Sequence, residues 1–278
     1  MAFTSDVVDG EITHDGLTIR TYDSAPHRRG EDTIVLLHGT SGSAQSTYWA
    51  LFPILADGRR VVAFDFVDTD GATADTYADQ ARAVIAALCD GPVHLTGCSF
   101  GAVIAAHLAG TTPEIVKSLT LIAGWIKTDI HQHLRYDVWF KLHEEKSAAM
   151  PGFMVMTAFS HAFLTMRLPG EVDALVAKIG DGSDRYAKMV FNRTVDITDA
   201  VANITAPTLV IGCTQDQMVP IYHSKLLFGA IENARFAEVP AGHAVAHERP
   251  SHLLMLIRDF IDEPERDAPG TVHAPIHA

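Results

Sequence analysis

A serine, an aspartate and a histidine stand in this chain where each could leave a strand for a loop. They are Ser99 in Gly97-Cys98-Ser99-Phe100-Gly101, Asp216 in the stretch from Gly212 to Pro220, and His243 behind Pro240-Ala241-Gly242. A serine hydroxyl is almost un-ionised near neutral pH. To attack a carbonyl it needs a base within hydrogen-bond reach, and the base needs a carboxylate to hold its tautomer. Ser99 is the candidate nucleophile because of its surroundings: a mostly apolar β-type run from Val93 precedes it, and an Ala-rich run of helical propensity, Ala102 to Ala106, follows. A strand that feeds a helix through one sharp turn strains the middle residue and pushes its side chain out at the sheet's carboxyl edge. Glycine two before and two after keeps a Cβ from striking the neighbouring strand or helix. The loops holding Asp216 and His243 each follow a β-type run, and the order Ser, Asp, His is the one such an elbow leads to.

An acyl-transfer site also needs donors for the developing oxyanion. The buried run Thr33 to Leu37 ends in His38-Gly39-Thr40-Ser41-Gly42-Ser43, a loop of small residues whose backbone N–H groups can serve. Rival groups are weaker. Cys98 precedes the turn apex and points into the sheet, where it acts as a small hydrophobe. His247 lacks the Gly-His placement at a strand exit that His243 has. Asp129 could replace Asp216 as the acid, but it sits several residues beyond its strand. His94 and His107 read as packing or surface histidines. No metal site is expected, because the prolines and glycines around His243 and His247 argue against a helix that would align them.

The elements that must position these groups alternate between strand and helix. Glu11 to Tyr22, with Asp15-Gly16 at its centre, predicts an antiparallel hairpin. Strands are expected at Thr33–Leu37, Arg60–Asp65, in the short run from Val93 that leads into Gly97, and at Ile115–Ile122, Thr208–Gly212 and Arg235–Val239. Helices are expected from Ser46 or Thr47 to Ala56, with Trp49, Phe52 and Leu55 inward, and at Thr73–Leu88, Ile221–Ala230 and Pro250–Ile261. This rhythm predicts a parallel sheet with its site at the carboxyl ends of the strands. Between Gly124 and Asn203 it changes to helix-like pieces rich in Trp, Phe and Met, broken at Pro151-Gly152 and Pro169-Gly170. Most of those side chains should form the insertion's own core. Trp125, Trp139 and Met154 are the candidates to face a substrate.

The 278 residues, 47% hydrophobic and 20% charged, are enough for one large α/β domain with an inserted part. A formal net charge of −13 argues against nucleic acid or an anionic membrane as partner and for a small-molecule substrate. Homo-oligomerisation is compatible with this composition. Three scattered cysteines make no disulfide framework, and Met1 to Asp6 shows neither a basic nor an apolar leader region, so the expected location is cytoplasmic.

Taken together, His38-Gly39, Gly97-Cys98-Ser99-Phe100-Gly101, Gly212 through Asp216 to Val219-Pro220, and Gly242-His243 with Glu248 and Pro250 behind it resemble the α/β-hydrolase family. The resemblance implies an α/β fold of eight mostly parallel strands flanked by helices, with a helical cap inserted after the sixth strand. The core would be residues 1–123 and 204–264, the cap 124–203, and 265–278 a flexible tail. It further implies Ser99, Asp216 and His243 as the triad, the backbone N–H groups of Thr40 and Phe100 as the oxyanion hole, and no cofactor. Gly124-Trp125 followed by His131 and Arg135 is similar to the branch of aminoacrylate hydrolases, enol-lactonases and meta-cleavage-product hydrolases. In place of the Arg-Gly-x-Gly-Ser turn of many relatives, this chain has Phe66 to Gly71.

The expected activity is hydrolysis of a small, largely apolar carboxylic ester or lactone through an acyl-enzyme. Alternatives are C–C bond hydrolysis of a diketo acid, with Arg135 or Arg193 taking the substrate carboxylate, acyl transfer, and a non-catalytic small-molecule binder on the same fold.

Overall fold

The computed structural model describes residue 3 and residues 6–179 and 182–274. The strands are β1 (Val8–His14), β2 (Leu17–Asp23), β3 (Thr33–Leu37), β4 (Arg60–Phe64), β5 (Val93–Cys98), β6 (Val116–Ile122), β7 (Thr208–Cys213) and β8 (Ala234–Val239). They form one sheet in the order β1-β2-β4-β3-β5-β6-β7-β8. The β1/β2 and β2/β4 pairs are antiparallel and every other pair is parallel. The hairpin turns at Asp15 and Gly16, both at positive φ (46° and 77°), the backbone that an Asp-Gly pair accepts.

The central strands are buried on both faces, which is why their sequences read as unbroken apolar runs. Val35 and Leu37 point to one side, into a core shared with Tyr77, Ala81 and Val84 of helix Ala74–Leu88 and with helix Phe100–Thr111. Ile34 and Leu36 point to the other, into a core shared with Phe52, Leu253, Ile257 and Phe260. Thr73 caps its helix through a reciprocal pair of hydrogen bonds with Thr76, as its position before an apolar stripe predicts.

Before β7, helix Thr198–Val201 packs on helix Phe100–Thr111, where a Cβ on Gly110 would lie 1.8 Å from Ala200 O. Between it and β6, helices Ile130–Glu144, Met150–Ala158, His161–Thr165, Pro169–Lys178 and Tyr186–Thr194 form an insertion labelled the cap. Its own apolar centre gathers Tyr136, Trp139, Met150, Met154 and Met189. Pro151 and Pro169 stand in the first turns of two of these helices, where a missing N–H costs nothing.

Three expectations need correction. The single helix ending at Ala56 is two short ones, Ala44–Tyr48 and Leu51–Leu55. A continuous helix would set the Pro53 ring against the carbonyl of Trp49, and with the break Trp49 is 40% exposed rather than inward. The tail is the second: residues 268–273 are not loose. Phe236 N–H donates to Thr271 O at 2.9 Å and His273 N–H to Phe236 O at 2.8 Å, so this segment satisfies the free edge of β8. Residues 275–278 lie outside the described ones. Third, Pro151-Gly152 and Pro169-Gly170 begin helices rather than break them.

Candidate active site

Ser99 joins β5 to helix Phe100–Thr111 at φ 56°, ψ −120°, a backbone region that L-residues enter only under constraint. Neighbours hold it there: Ser99 N–H donates to Ile122 O at 2.8 Å, and Ser99 O accepts from Ala102 N–H at 2.8 Å and Val103 N–H at 3.1 Å. The flanking glycines are sterically required. A Cβ on Gly97 would come within 2.3 Å of Gly101 O, and one on Gly101 within 2.1 Å of Leu37 O. The elbow therefore presses against the end of β3, where the His38-Gly39 loop begins.

Asp216 leaves β7 on the same side of the sheet. Its Oδ1 accepts from Met218 N–H at 2.8 Å and Val219 N–H at 2.9 Å. Its Oδ2 lies 2.7 Å from His243 Nδ1, and a carboxylate has no proton to donate, so it accepts. Nδ1 is therefore the protonated nitrogen, and Nε2 has a lone pair for the Ser99 hydroxyl, whose Oγ is 2.8 Å away. The chemical capacity of this row is removal of the Ser99 proton as Oγ bonds to an electrophilic carbon. Ser99 is 7% exposed and the His243 side chain 14%, so both are largely shielded from solvent.

Next to the elbow, Gly39 sits so close that a Cβ on it would be 3.5 Å from Ser99 Cβ. The His38 ring determines how this loop is oriented. Phe66 N–H donates to His38 Nε2 at 3.0 Å, so the ring proton is on Nδ1, which donates to Gly39 O at 2.7 Å. In a planar trans peptide the Gly39 carbonyl and the Thr40 N–H point in opposite directions. Fixing the carbonyl therefore aims the Thr40 N–H. The Phe100 N–H is free of an intrahelical partner because it opens its helix. Burial, with Lys188 nearby, lowers the His38 pKa to about 4, keeping the ring neutral.

His94, bonded through Nδ1 to Ser118 Oγ at 2.7 Å, is also lowered to about 4, chiefly by burial. Both histidines are neutral in the fold and titrate near 6.5 when unfolded, so the unfolded chain binds more protons in between. Stability should thus be complete above about pH 6.5 and fall as pH drops toward 4, by on the order of 3 kcal/mol per histidine. Denaturant titrations at pH 7 and pH 5 check this. His94→Gln, able to keep the bond to Ser118, should flatten the slope; an unchanged slope would contradict it.

The cap helix Tyr186–Thr194 and the residue before it also reach this loop and the turn after β4. Asn192 Nδ2 donates to Thr40 Oγ1 at 2.8 Å, Arg185 Nη1 to Ser41 Oγ at 2.9 Å, and Lys188 Nζ pairs with Asp68 at 2.6 Å. Phe191 packs edge-on against Phe100, with ring centroids 5.5 Å apart. Sequence reasoning missed these polar residues. The four-residue spacing of Lys188 and Asn192 puts both on one helical face, but no local signal names their partners.

The residues expected to face a substrate are placed differently. Trp125 is 1% exposed, with its indole N–H donating to Thr128 Oγ1 at 3.1 Å. Trp139 has no exposure, and its Nε1 lies 3.1 Å from Met154 Sδ inside the cap's own cluster. Large apolar side chains gain most by packing on one another, and Trp125 and Trp139 present almost no surface to a ligand.

The rival groups are occupied elsewhere. Asp129 caps helix Ile130–Glu144 through Gln132 N–H and lies 3.2 Å from His223 Nε2. His247 lies among aromatic rings, 6.0 Å from Trp49 and 6.3 Å from Phe159. The Cys98 thiol is buried and pushed up to about 12. His131 is exposed, Arg135 stacks over the Tyr136 ring at 4.4 Å, and Arg193 pairs with Asp137 at 2.5 Å on the surface. Among the described residues no group of three or more His, Cys, Asp or Glu is placed to hold a metal. No helix among them is long and apolar enough to cross a membrane.

The model of the alpha/beta hydrolase family matches residues 34–255, a span that contains every group just described. The chain belongs to that family. As an alpha/beta hydrolase it is similar to the pyrrolizixenacetamide deacetylase of Xenorhabdus hominickii, with 28% identity over 242 residues covering 82% of this chain and 90% of that one. Among solved structures it is similar to MGS-M2, an alpha/beta hydrolase enzyme from a Medee basin deep-sea metagenome library, at TM-score 0.83 and 20% identity over 93% of this chain and 99% of the other. It is also similar to the enol-lactonase from Burkholderia xenovorans LB400, at TM-score 0.75 and 17% identity over 91% and 100%. At these identities the solved structures speak for the fold. The family and its hydrolase relatives make this chain an enzyme of hydrolase type.

Proposed function

We propose that the chain is a serine hydrolase that cleaves a small, largely apolar carboxylic ester or lactone through an acyl-enzyme on Ser99. The observation that carries this reading is the unbroken row of hydrogen bonds from Asp216 Oδ2 through His243 to Ser99 Oγ, 2.7 and 2.8 Å long. His243 takes the hydroxyl proton while Ser99 Oγ attacks the carbonyl carbon, and the Thr40 and Phe100 N–H groups receive the oxyanion. The imidazolium then protonates the leaving oxygen. Water, deprotonated by His243 in the second half-reaction, releases the acid and restores the hydroxyl. Three buried free thiols suit a reducing compartment such as the cytoplasm.

The C–C bond alternative needs a cation for the substrate carboxylate; Arg193 is paired with Asp137, which leaves Arg135, stacked over the Tyr136 ring, as its candidate. A pure binder would have no use for an aligned triad. The deacetylase relative adds acyl amides to the compounds worth testing. The experiment is pre-steady-state turnover of p-nitrophenyl esters of increasing acyl length, beside lactones and acyl amides. The expected result is a burst of one nitrophenolate per chain with short acyl groups, followed by slower deacylation. Turnover of none of these classes would overturn the reading.

A further inference from the structure

The loop that carries His243 is not held by the hydrolase core alone. The turn of the cap between helices Met150–Ala158 and His161–Thr165 reaches down and bonds to it on both sides of the histidine. On one side Ala244 N–H donates to Ala158 O at 2.8 Å. On the other the Glu248 side chain stands between cap and loop. Its Oε1 accepts from Ser160 N–H at 2.7 Å and Gly242 N–H at 3.1 Å, and its Oε2 accepts the Ser160 hydroxyl at 2.6 Å. Three donors and no acceptor converge on one carboxylate, the pattern that an acceptor-only group satisfies. Ser160 is 1% exposed, so these bonds are sheltered from competing water.

Cap and loop also touch backbone to backbone. A Cβ on Gly242 would lie 2.5 Å from Ser160 N and 2.7 Å from Phe159 C, so the residue before the catalytic histidine must be glycine for the cap to seat. Residues 242 and 244, the immediate neighbours of His243, are thereby both fixed to the same three residues of the cap.

We infer that Glu248 is a positioning residue. By tying Ser160 of the cap to Gly242 it sets the orientation of His243 toward Ser99, and so couples seating of the cap to assembly of the proton relay. This inference rests on the triad reading above. Its physical basis is the steep cost of misplacing a general base: a displacement of about 1 Å can lower a rate on the order of a hundredfold. A substrate or product that lifts the turn at residues 158–160 would loosen the histidine as well, so an unseated cap leaves Ser99 without its base.

The test is the rate and the extent of labelling of Ser99 by a fluorophosphonate, run beside turnover of a short-chain p-nitrophenyl ester. In Glu248→Ala both rates should fall by a common factor, on the order of 10- to 100-fold, with KM little changed and every folded molecule still labelled at the end point. Glu248→Gln should retain most of the rate, because its Oε1 can still accept from both N–H groups and its Nε2 can donate to Ser160 Oγ. Ser160→Ala, which loses the bond to Oε2 and the cap on Phe163 N–H but keeps the backbone bond to Oε1, should show a smaller loss of the same kind. It also serves in place of Glu248→Ala if that variant does not fold.

A merely structural role would leave fewer molecules able to react, each at the wild-type rate. That pattern, an unaltered rate in Glu248→Ala, or equal losses in Glu248→Gln and Glu248→Ala would overturn the inference. A wild-type chain that never labels at Ser99 would instead remove the triad reading, and the role of Glu248 with it.

Discussion

Replacing Ser99 with alanine is expected to abolish ester turnover, a loss in kcat on the order of 10⁴-fold or more, while the midpoint of thermal unfolding stays where it was or rises. The magnitude follows from the chemistry: without Oγ there is no atom to form the acyl-enzyme, and what remains is the weak assistance of the oxyanion donors to water. The stability forecast follows from strain. Ser99 keeps a positive φ because Ile122, Ala102 and Val103 bond to its backbone, and alanine leaves all three of those bonds intact. Circular dichroism and a thermal scan beside the activity assay separate the two effects. An active Ser99→Ala chain would refute the mechanism outright.

The second large effect belongs to Asp216→Asn. An amide oxygen in place of Oδ1 would keep accepting from Met218 and Val219 N–H, which currently bond to that atom at 2.8 and 2.9 Å. The amide nitrogen would then face His243 Nδ1 and donate to it. The ring proton would move to Nε2, and the nitrogen facing Ser99 would become a donor instead of a base. A loss of kcat of about 10⁴-fold is expected from the wrong tautomer alone, with packing almost unaltered. The check is kcat across pH beside a thermal scan: loss of activity together with loss of fold would speak for a structural rather than an orienting aspartate.

Much of the candidate site is legible in the sequence because its rules are local. Gly97 and Gly101 flank Ser99 for steric reasons that hold in any strand-turn-helix elbow, and the structure gives each its obstacle, one on the elbow helix itself and one at the end of β3. The strands were legible for a similar reason: runs such as Thr33 to Leu37 leave no polar face. What was not legible depends on partners far along the chain. Asn192 meets Thr40 across 152 positions and Lys188 meets Asp68 across 120, and no spacing rule links them.

Hydrophobicity located the cap's core but could not assign facing, so Trp125, Trp139 and Met154 were expected at the ligand while the structure packs them on one another and on the core. The segment near Thr271 looked loose because its order comes from the open edge of β8, a property of the sheet and not of the segment. The split at Trp49 was within reach of the sequence, since Pro53 four residues later forbids a continuous helix.

The most direct measurement of the central claim is peptide mapping by mass spectrometry after reaction of the folded chain with a fluorophosphonate. A base-activated serine attacks phosphorus and stays phosphonylated, whereas an ordinary serine does not react. The account predicts one adduct, on the peptide bearing Ser99, formed slowly in Asp216→Asn and absent in Ser99→Ala. A folded chain that takes up no label at Ser99, or that labels elsewhere just as fast, would contradict it.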